Sequence, residues 1–190
     1  MIEKYRLLQQ SGLTVFDRKA VANIFGVTYA STNPLLFRLV KKGILRRLRR
    51  GSYVLSEPSE VNFWKIANEI VKPSAVSLWT ILSEEGLTTQ VPRTLQSVTP
   101  KRSTTVAPKD FSTFQYFHLP SSLYIDVHPD VHGIFRVSPE KALLDILYVQ
   151  EKVDWDSLYP ERFDRTRLRS LAQLFPLRIQ DALTHSPFEQ

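Results

Sequence analysis

The amino-acid sequence predicts an α+β protein in which a small helical unit ending in a hairpin is followed by a larger mixed unit. In the first third of the chain, apolar residues recur at helical spacing, and a short strand–glycine–strand pattern follows them. From residue 95 onward, short runs rich in β-branched and aromatic residues indicate strands. A chain of 190 residues is long enough for two such units. We place their boundary at residue 58, which gives units of residues 1–58 and 59–190.

The overall composition is that of a globular protein, with 43% hydrophobic and 23% charged residues. The chain has no cysteine, which excludes disulfide frameworks, cysteine-ligated metal sites and thiol nucleophiles. No apolar run approaches the roughly 18 residues that a membrane helix needs. The first residues also lack the apolar core of a signal peptide. The sequence therefore predicts a cytoplasmic protein with no membrane partner.

Positive charge is concentrated in the first unit. Residues 1–58 carry 11 Lys and Arg side chains against three acidic ones, a net charge of +8, whereas residues 59–190 carry 14 against 16. Seven of the 13 residues from 38 to 50 are basic: Arg38, Lys41, Lys42, Arg46, Arg47, Arg49 and Arg50. This density without any acid favours a polyanion partner over a merely solvated face. Because no membrane-binding helix is in view, the predicted partner is double-stranded DNA.

Two short helices are predicted before the basic segment. Apolar residues at helical spacing indicate a first helix over residues 2–10. Asp17 is the predicted N-cap of a second helix over residues 18–25, because its carboxylate can accept hydrogen bonds from the first free amides. Gly26 is predicted to end this helix, since glycine tolerates the positive φ of a C-terminal cap.

A third helix is predicted over residues 29–42, where leucines form an apolar stripe and the basic residues fall off that stripe. The sequence leaves its beginning open. Thr28 could cap the helix, in which case Pro34 should kink its second turn. Alternatively, Asn33 and Pro34 could be the N-cap and the first helical residue.

A hairpin completes the first unit, with strands predicted over residues 44–48 and 53–55 and a turn around Gly51. The order of helix, helix, turn, helix and basic hairpin is typical of a winged helix-turn-helix. Residues 26–28, then Leu36, Leu39 and residues 41–45, and finally residues 50–55 resemble the recognition helix and wing of many prokaryotic repressors. The prediction for the first unit is therefore an N-terminal winged helix-turn-helix that binds DNA.

In such a domain, the start of the third helix reaches base edges in the major groove while neighbouring cations hold phosphates. The predicted DNA-binding residues of the helix are Tyr29, Ser31, Thr32, Asn33, Arg38, Lys41 and Lys42. Those of the hairpin are Arg47, Arg49, Arg50 and Ser52. Two of these residues have a competing interpretation. Tyr29 could pack on the second helix instead, and Asn33 could act first as a helix cap.

The second unit is predicted to be mixed α/β. A helix is expected over residues 61–71, and a further helix over 75–85 with Ser74 as its cap. Strand-like runs that favour a mixed sheet cover residues 95–98, 104–107, 113–119, 123–127 and 134–137. Ser138 and Pro139 then open a strongly marked helix as N-cap and first helical residue. Residues 158–159 and 165–183 are predicted to form a helical C-terminus.

Two segments of this unit carry a second resemblance. Residues 73–82 with 86–92, and the Ser-Pro-Glu-Lys-Ala-Leu-Leu-Asp segment of residues 138–145, resemble the abortive-infection AbiEi antitoxin family of type IV toxin–antitoxin systems. The resemblance covers about residues 5–150. It implies a winged helix followed by an antitoxin-like domain, and autorepression at an operator with inverted repeats. It also implies opposition to a nucleotidyltransferase toxin encoded beside the antitoxin, without the need for a stable complex between the two.

The sequence predicts no catalytic residues, no metal and no cofactor. Asp126, His128, Asp130 and His132 alternate as the ligands on one face of a strand would, but Pro129 interrupts the pattern and favours a turn. The glycines are scattered, and no serine sits in a nucleophile-elbow motif. Two alternatives stay open. One is a winged-helix regulator whose C-terminal domain senses a ligand, and the other is a DNA-directed nuclease or other enzyme.

Overall fold

The computed structural model describes residues 2–56, 62–109, 111–150 and 153–188, and these form a mixed α+β fold. The first unit consists of the helices α1 (Ile2–Gln10), α2 (Arg18–Phe25) and α3 (Tyr29–Lys41), followed by the strands β1 (Leu45–Arg49) and β2 (Ser52–Leu55). The two strands pair antiparallel, as predicted. An apolar core joins these elements, and its buried members are Leu8, Phe16, Val21, Leu35, Leu36, Leu39, Ile44 and Leu45.

The helix ends follow the predicted capping chemistry. Asp17 accepts a hydrogen bond of 2.7 Å from the Ala20 amide, and Gly26 adopts a left-handed conformation with φ of 60°. Thr28 caps α3 and accepts from the Ser31 amide at 3.3 Å. The alternative beginning at Asn33 and Pro34 is therefore wrong, and Pro34 lies inside the helix.

The second unit is built around a six-stranded mixed sheet. Its helices are α4 (Phe63–Ile70), α5 (Leu78–Glu84), α6 (Pro139–Val149), α7 (Arg165–Ala172) and α8 (Leu177–Thr184). Its strands are β3 (Ala75–Val76), β4 (Leu95–Thr99), β5 (Thr104–Val106), β6 (Phe114–His118), β7 (Val127–Pro129) and β8 (Phe135–Val137). The sheet order is β5-β6-β4-β3-β8-β7, with β4–β6 and β3–β8 parallel and the other pairs antiparallel. The predicted mixed sheet is confirmed.

The predicted helix over residues 75–85 is wrong at its beginning. Ala75 and Val76 form a central strand that pairs with β4 on one side and β8 on the other. The helix begins only after Ser77, and Ser74 does not cap it. A short apolar run in a fully covered strand has no alternation, so periodicity alone does not distinguish it from a buried helix.

Three further predictions differ from the structure. The strand predicted over residues 123–127 is wrong, because Leu123 ends a 3-10 turn (Ser121–Leu123) and the edge strand β7 begins only at Val127. Pro129 ends that edge strand, where a missing amide costs no ladder bond. Leu158 is not helical but forms a bridge with Thr88. The C-terminal helix is divided into α7 and α8, and Pro176 is the N-cap of the second.

The hairpin packs on one side against the helices of its own unit and on the other side against the second unit. Leu45 belongs to the core of the first unit, whereas Leu48 and Val54 join an apolar cluster with Ile66, Ala67, Ile70, Phe114 and Tyr116. The Tyr116 hydroxyl donates to the Ala67 carbonyl at 2.8 Å, which fixes α4 on the sheet. The hairpin is therefore held between the α1–α3 core and α4. The proposed boundary at residue 58, and the predicted start of α4 at residue 61, lie outside the described residues.

A buried polar set joins α6 to the turn before α5. The Lys141 ammonium forms an ion pair with Asp145 Oδ1, and the Ser77 hydroxyl donates to Asp145 Oδ2 at 2.7 Å. All three side chains are fully buried. Burial raises the pKa of Asp145, although Lys141 and Ser77 both oppose this shift. The helix predicted to begin with Ser138 as its N-cap is confirmed. Lys141 and Asp145 both belong to this helix, and their ion pair lies in the core.

Among the helices of the described residues, none combines the length and the apolar character that crossing a bilayer requires.

Candidate nucleic-acid interface

The outward side of α3 forms an exposed ridge. Its buried side carries Leu35, Leu36 and Leu39, so the opposite side faces solvent. The exposed residues along that opposite side are Ala30, Asn33, Pro34, Phe37 and Lys41. Residues 2–56 contain 11 Lys and Arg side chains and two acidic ones, so the surface around the ridge is strongly positive.

A groove of about 210 Å³ separates the ridge from the hairpin. Asn33 and Phe37 line it from α3, and Arg47 and Tyr53 line it from the strands. Phe37 is 69% exposed, which is unusual for a phenylalanine. Phe37 is not among the residues predicted from the sequence, although its position off the leucine stripe was a signal for it.

Cations also flank the other side of the ridge. Lys4 of α1 lines a second depression together with Arg38 of α3 and Lys42, the C-cap of that helix. The Arg38 Nε donates to the Pro34 carbonyl at 3.3 Å, which holds its side chain along the helix. Lys4 was not among the predicted contacts. The ridge therefore has Arg47 on one flank and this basic cluster on the other.

Tyr29 begins α3 and is 60% exposed. The Arg18 guanidinium of α2 lies 3.7 Å from the centroid of its ring, and Arg18 Nε donates to the Tyr29 carbonyl at 3.1 Å. Tyr29 thus contacts the second helix, as the competing interpretation expected, and still presents its ring to solvent. Arg18 was missed as a residue that positions Tyr29, because its partner lies 11 residues away in sequence.

The remaining residues at the start of α3 divide into exposed and buried. Ser31 is exposed, and its hydroxyl lies 2.9 Å from the Thr28 hydroxyl. Thr32 is fully buried, and its hydroxyl donates to the Thr28 carbonyl at 3.0 Å. The predicted role of Thr32 at base edges therefore does not fit this structure, because a buried side chain supports the helix. Asn33 does not cap α3 and is free to act at the surface.

The arginine side chains of the hairpin differ in their exposure to solvent and in their hydrogen-bond partners. Arg47 is exposed with Nε bonded to the Arg49 carbonyl at 3.3 Å, and Arg50 is exposed at the turn. Arg49 instead uses its guanidinium at the junction, where it donates to the Ile70 carbonyl of α4 and, at 3.4 Å, to the Ser52 hydroxyl. Burial raises the pKa of the nearby Tyr116, and the Arg49 charge partly opposes that rise. Arg49 therefore contributes to the junction although it is an exposed residue, and Ser52 accepts a hydrogen bond from it. The predicted DNA contacts of Arg49 and Ser52 stay predictions.

This contrast predicts different stabilities for two neighbouring variants. Arg49→Ala should lower the free energy of unfolding by about 1–2 kcal/mol, because the α4 carbonyl loses a charged donor. Arg50→Ala should change it by less than about 0.5 kcal/mol, since Arg50 is exposed at the turn and, among the described residues, does not make the contact with α4 that Arg49 makes. Urea titration followed by circular dichroism measures both values. Equal losses in the two variants would show that Arg49 does not hold the junction.

The acid–histidine segment does not assemble a metal centre. Asp126 Oδ1 accepts from His128 Nε2 at 3.1 Å and from Arg167 at 2.7 Å. Burial acts to raise the pKa of Asp126, but hydrogen bonds from the side chains of Ser138, His128 and Arg167 outweigh it and hold the pKa below its usual range. Asp130 Oδ1 caps the predicted turn by accepting from the amides of His132 and Ile134. Within the described residues, no group of three or more potential ligands is placed to hold a metal ion.

Comparison with known proteins adds no family to this description, because no protein-family model matches the chain and no curated protein matches it either.

Proposed function

We propose that the chain is a DNA-binding transcriptional repressor of the winged helix-turn-helix class. In this proposal α3 is the recognition helix and the β1–β2 hairpin is the wing. The observation that carries the proposal is the exposed ridge of α3 with Arg47 on one flank and Lys4, Arg38 and Lys42 on the other. A helix that enters the major groove has a phosphate backbone on each side, which matches cations on both flanks.

The exposed ridge offers chemistry for reading bases. The Asn33 amide can donate to and accept from an adenine edge, and the Phe37 ring can contact a thymine methyl group. Ser31 and Tyr29 lie at the N-terminal end of the same helix, where recognition helices of this class meet the bases. Arg47, Lys41 and Arg50 would hold phosphates and thereby set the position of the helix. This assignment separates residues that specify sequence from residues that supply affinity.

The second part of the proposal is that the protein acts in the cytoplasm as an antitoxin against a nucleotidyltransferase toxin encoded beside it. Its support is the resemblance of residues 73–82 with 86–92, and of residues 138–145, to the AbiEi family. These two segments meet through Ser77, Asp145 and Lys141, so the quoted motifs specify one shared core. Because that core is buried, any antitoxin action must use the surface around it.

The test of DNA binding uses the full-length protein and two duplexes, one from its own promoter region and one scrambled with the same composition. Fluorescence anisotropy between about 50 and 200 mM salt should show steep salt dependence for both duplexes. The promoter duplex should bind at least about 10³-fold more tightly. Equal affinity for the two duplexes would contradict a sequence-specific repressor.

Antitoxin action should survive the loss of DNA binding. A full-length variant with Lys41→Ala, Arg47→Ala and Arg50→Ala should still restore growth when it is co-expressed with the neighbouring toxin, while its promoter becomes derepressed. The full chain is the right material, because removing residues 1–58 would expose the apolar surface on which Leu48 and Val54 pack. Growth arrest with this folded variant would show that antitoxin action depends on DNA binding.

A further inference from the structure

A cavity of about 470 Å³ lies beside α4, away from the ridge of α3. Its walls come from one side of α4, residues 72–74, the edge strand β7 and its neighbour β8, together with Tyr124 and Gly133. Tyr124, Val127 and Phe135 supply most of its apolar surface. This volume falls within the range of about 300–1,000 Å³ that is typical of pockets for small molecules.

We propose that this cavity binds a small amphiphilic anion, a molecule with a flat apolar body and a single acidic group. The apolar body would lie against Tyr124, Val127 and Phe135, and the acidic group would face Lys65. The site is independent of the proposed DNA contacts, since none of its lining residues belongs to α3 or the hairpin.

The charged side chains in the cavity wall favour a negatively charged ligand. Lys72 and Glu69 both line the cavity, but they pair with each other at 2.6 Å and so cancel. None of the ion pairs among the described residues engages Lys65, which is half-buried at the same wall. A carboxylate or sulfonate next to Lys65 would gain a charge-assisted contact in a partly desolvated place.

Two further groups can hold the polar end of a ligand. The Ser74 hydroxyl oxygen is buried and has no hydrogen-bond partner among the described residues, although Ser74 lines the cavity. A buried hydroxyl without a partner is costly, and a ligand atom would remove that cost. Burial raises the pKa of Tyr124 to about 12, so its phenol stays protonated and can donate.

The cavity is held open by Asn68, whose side-chain amide uses both of its N–H donors and its oxygen in hydrogen bonds to the walls. The Asn68 amide nitrogen donates to the carbonyls of Ser74 and Phe135 at 3.3 and 3.2 Å, and its oxygen accepts from the Phe135 amide at 2.7 Å. Asn68 thereby ties α4 to β8 and to the segment before β3. The walls are therefore preformed, which lowers the ordering cost that a ligand must overcome.

The test uses two fluorescent dyes with similar aromatic bodies, the anion 8-anilinonaphthalene-1-sulfonate and the neutral N-phenyl-1-naphthylamine. The full-length protein should bind one equivalent of the anionic dye and prefer it over the neutral one. Phe135→Ala should weaken binding of both dyes by about tenfold, because an apolar wall is lost. Lys65→Gln should lower the preference for the anion by roughly three- to tenfold and leave the neutral dye almost unchanged.

Two control variants lie outside the cavity. Val131→Ala removes an apolar side chain that is 95% exposed, and Lys101→Gln removes an exposed lysine. Neither should alter dye binding, and all variants should keep the near-ultraviolet circular dichroism of the wild type. Dye binding that responds equally to cavity and control variants, or no binding at all, would overturn the site. Equal affinity of the wild type for the two dyes would overturn its assignment to an anion.

Discussion

Replacing Lys41, Arg47 and Arg50 together by alanine is expected to lower the affinity for DNA by roughly 10²- to 10³-fold at 0.1 M salt. Each lost phosphate contact removes nearly one unit from the slope of log affinity against log salt concentration, so the slope should fall by about three. The loss should be nearly the same for promoter and scrambled duplexes, because phosphates carry no sequence information. The three side chains are exposed, so the fold should be unchanged.

Two matched variants on the ridge separate affinity from specificity. Asn33→Ala and Phe37→Ala should each weaken promoter binding by about 1–3 kcal/mol, leave scrambled-duplex binding nearly intact and keep the salt slope. Anisotropy titrations of both duplexes over a salt series measure all three quantities. A ridge variant that changed only the salt slope, or a triple variant that changed only specificity, would reverse the assigned roles.

Asp145→Ala is expected to lower the free energy of unfolding by about 3–5 kcal/mol, a large part of the stability of an ordinary domain. The substitution leaves the Lys141 ammonium fully buried without its carboxylate and removes the acceptor of the Ser77 hydroxyl. Asp181→Ala on α8 is the matched control, because that carboxylate is exposed, and it should change stability by less than about 0.5 kcal/mol. Urea unfolding followed by tryptophan fluorescence gives both values.

The double variant Lys141→Met with Asp145→Leu tests the cause of that loss. With both charges replaced by apolar groups of similar size, most of the lost stability should return, because no buried charge is left unpaired. Equal destabilisation in the single and double variants would mean that packing around α6, and not the unpaired ammonium, explains the effect.

Capping residues made several helix ends predictable from the sequence. Asp17, Gly26 and Ser138 act through local hydrogen bonds or a local backbone conformation, which neighbouring residues alone determine. The central strand at Ala75 was not predictable in this way, because its partners lie about 20 and 60 residues further along the chain. Periodicity carries no information about such distant pairing.

The sequence pattern also could not predict which way the arginine side chains of the hairpin point. Strict alternation would place Arg47 and Arg49 on the same face of β1. The register is irregular between these two residues, so Arg49 turns toward α4 while Arg47 stays beside α3. Leu45 and Leu48 are three residues apart and therefore face opposite sides of the strand, where they join different cores. The basic composition predicted a positive surface, but not which arginines would occupy it.

The burial of Leu48 and Val54 against α4 limits how the first unit, which we propose binds DNA, can be joined to another domain. A chimaera that joined residues 1–56 to a foreign effector domain would leave this apolar face of the hairpin open to water, and Arg49 would lose the Ile70 carbonyl. A chimaera that stays folded should therefore include α4 together with the hairpin. The foreign domain would then have to supply apolar side chains where Phe114 and Tyr116 of β6 pack in this protein. In this chain, the junction for an exchange of domains therefore belongs after Ile70, the last residue of α4.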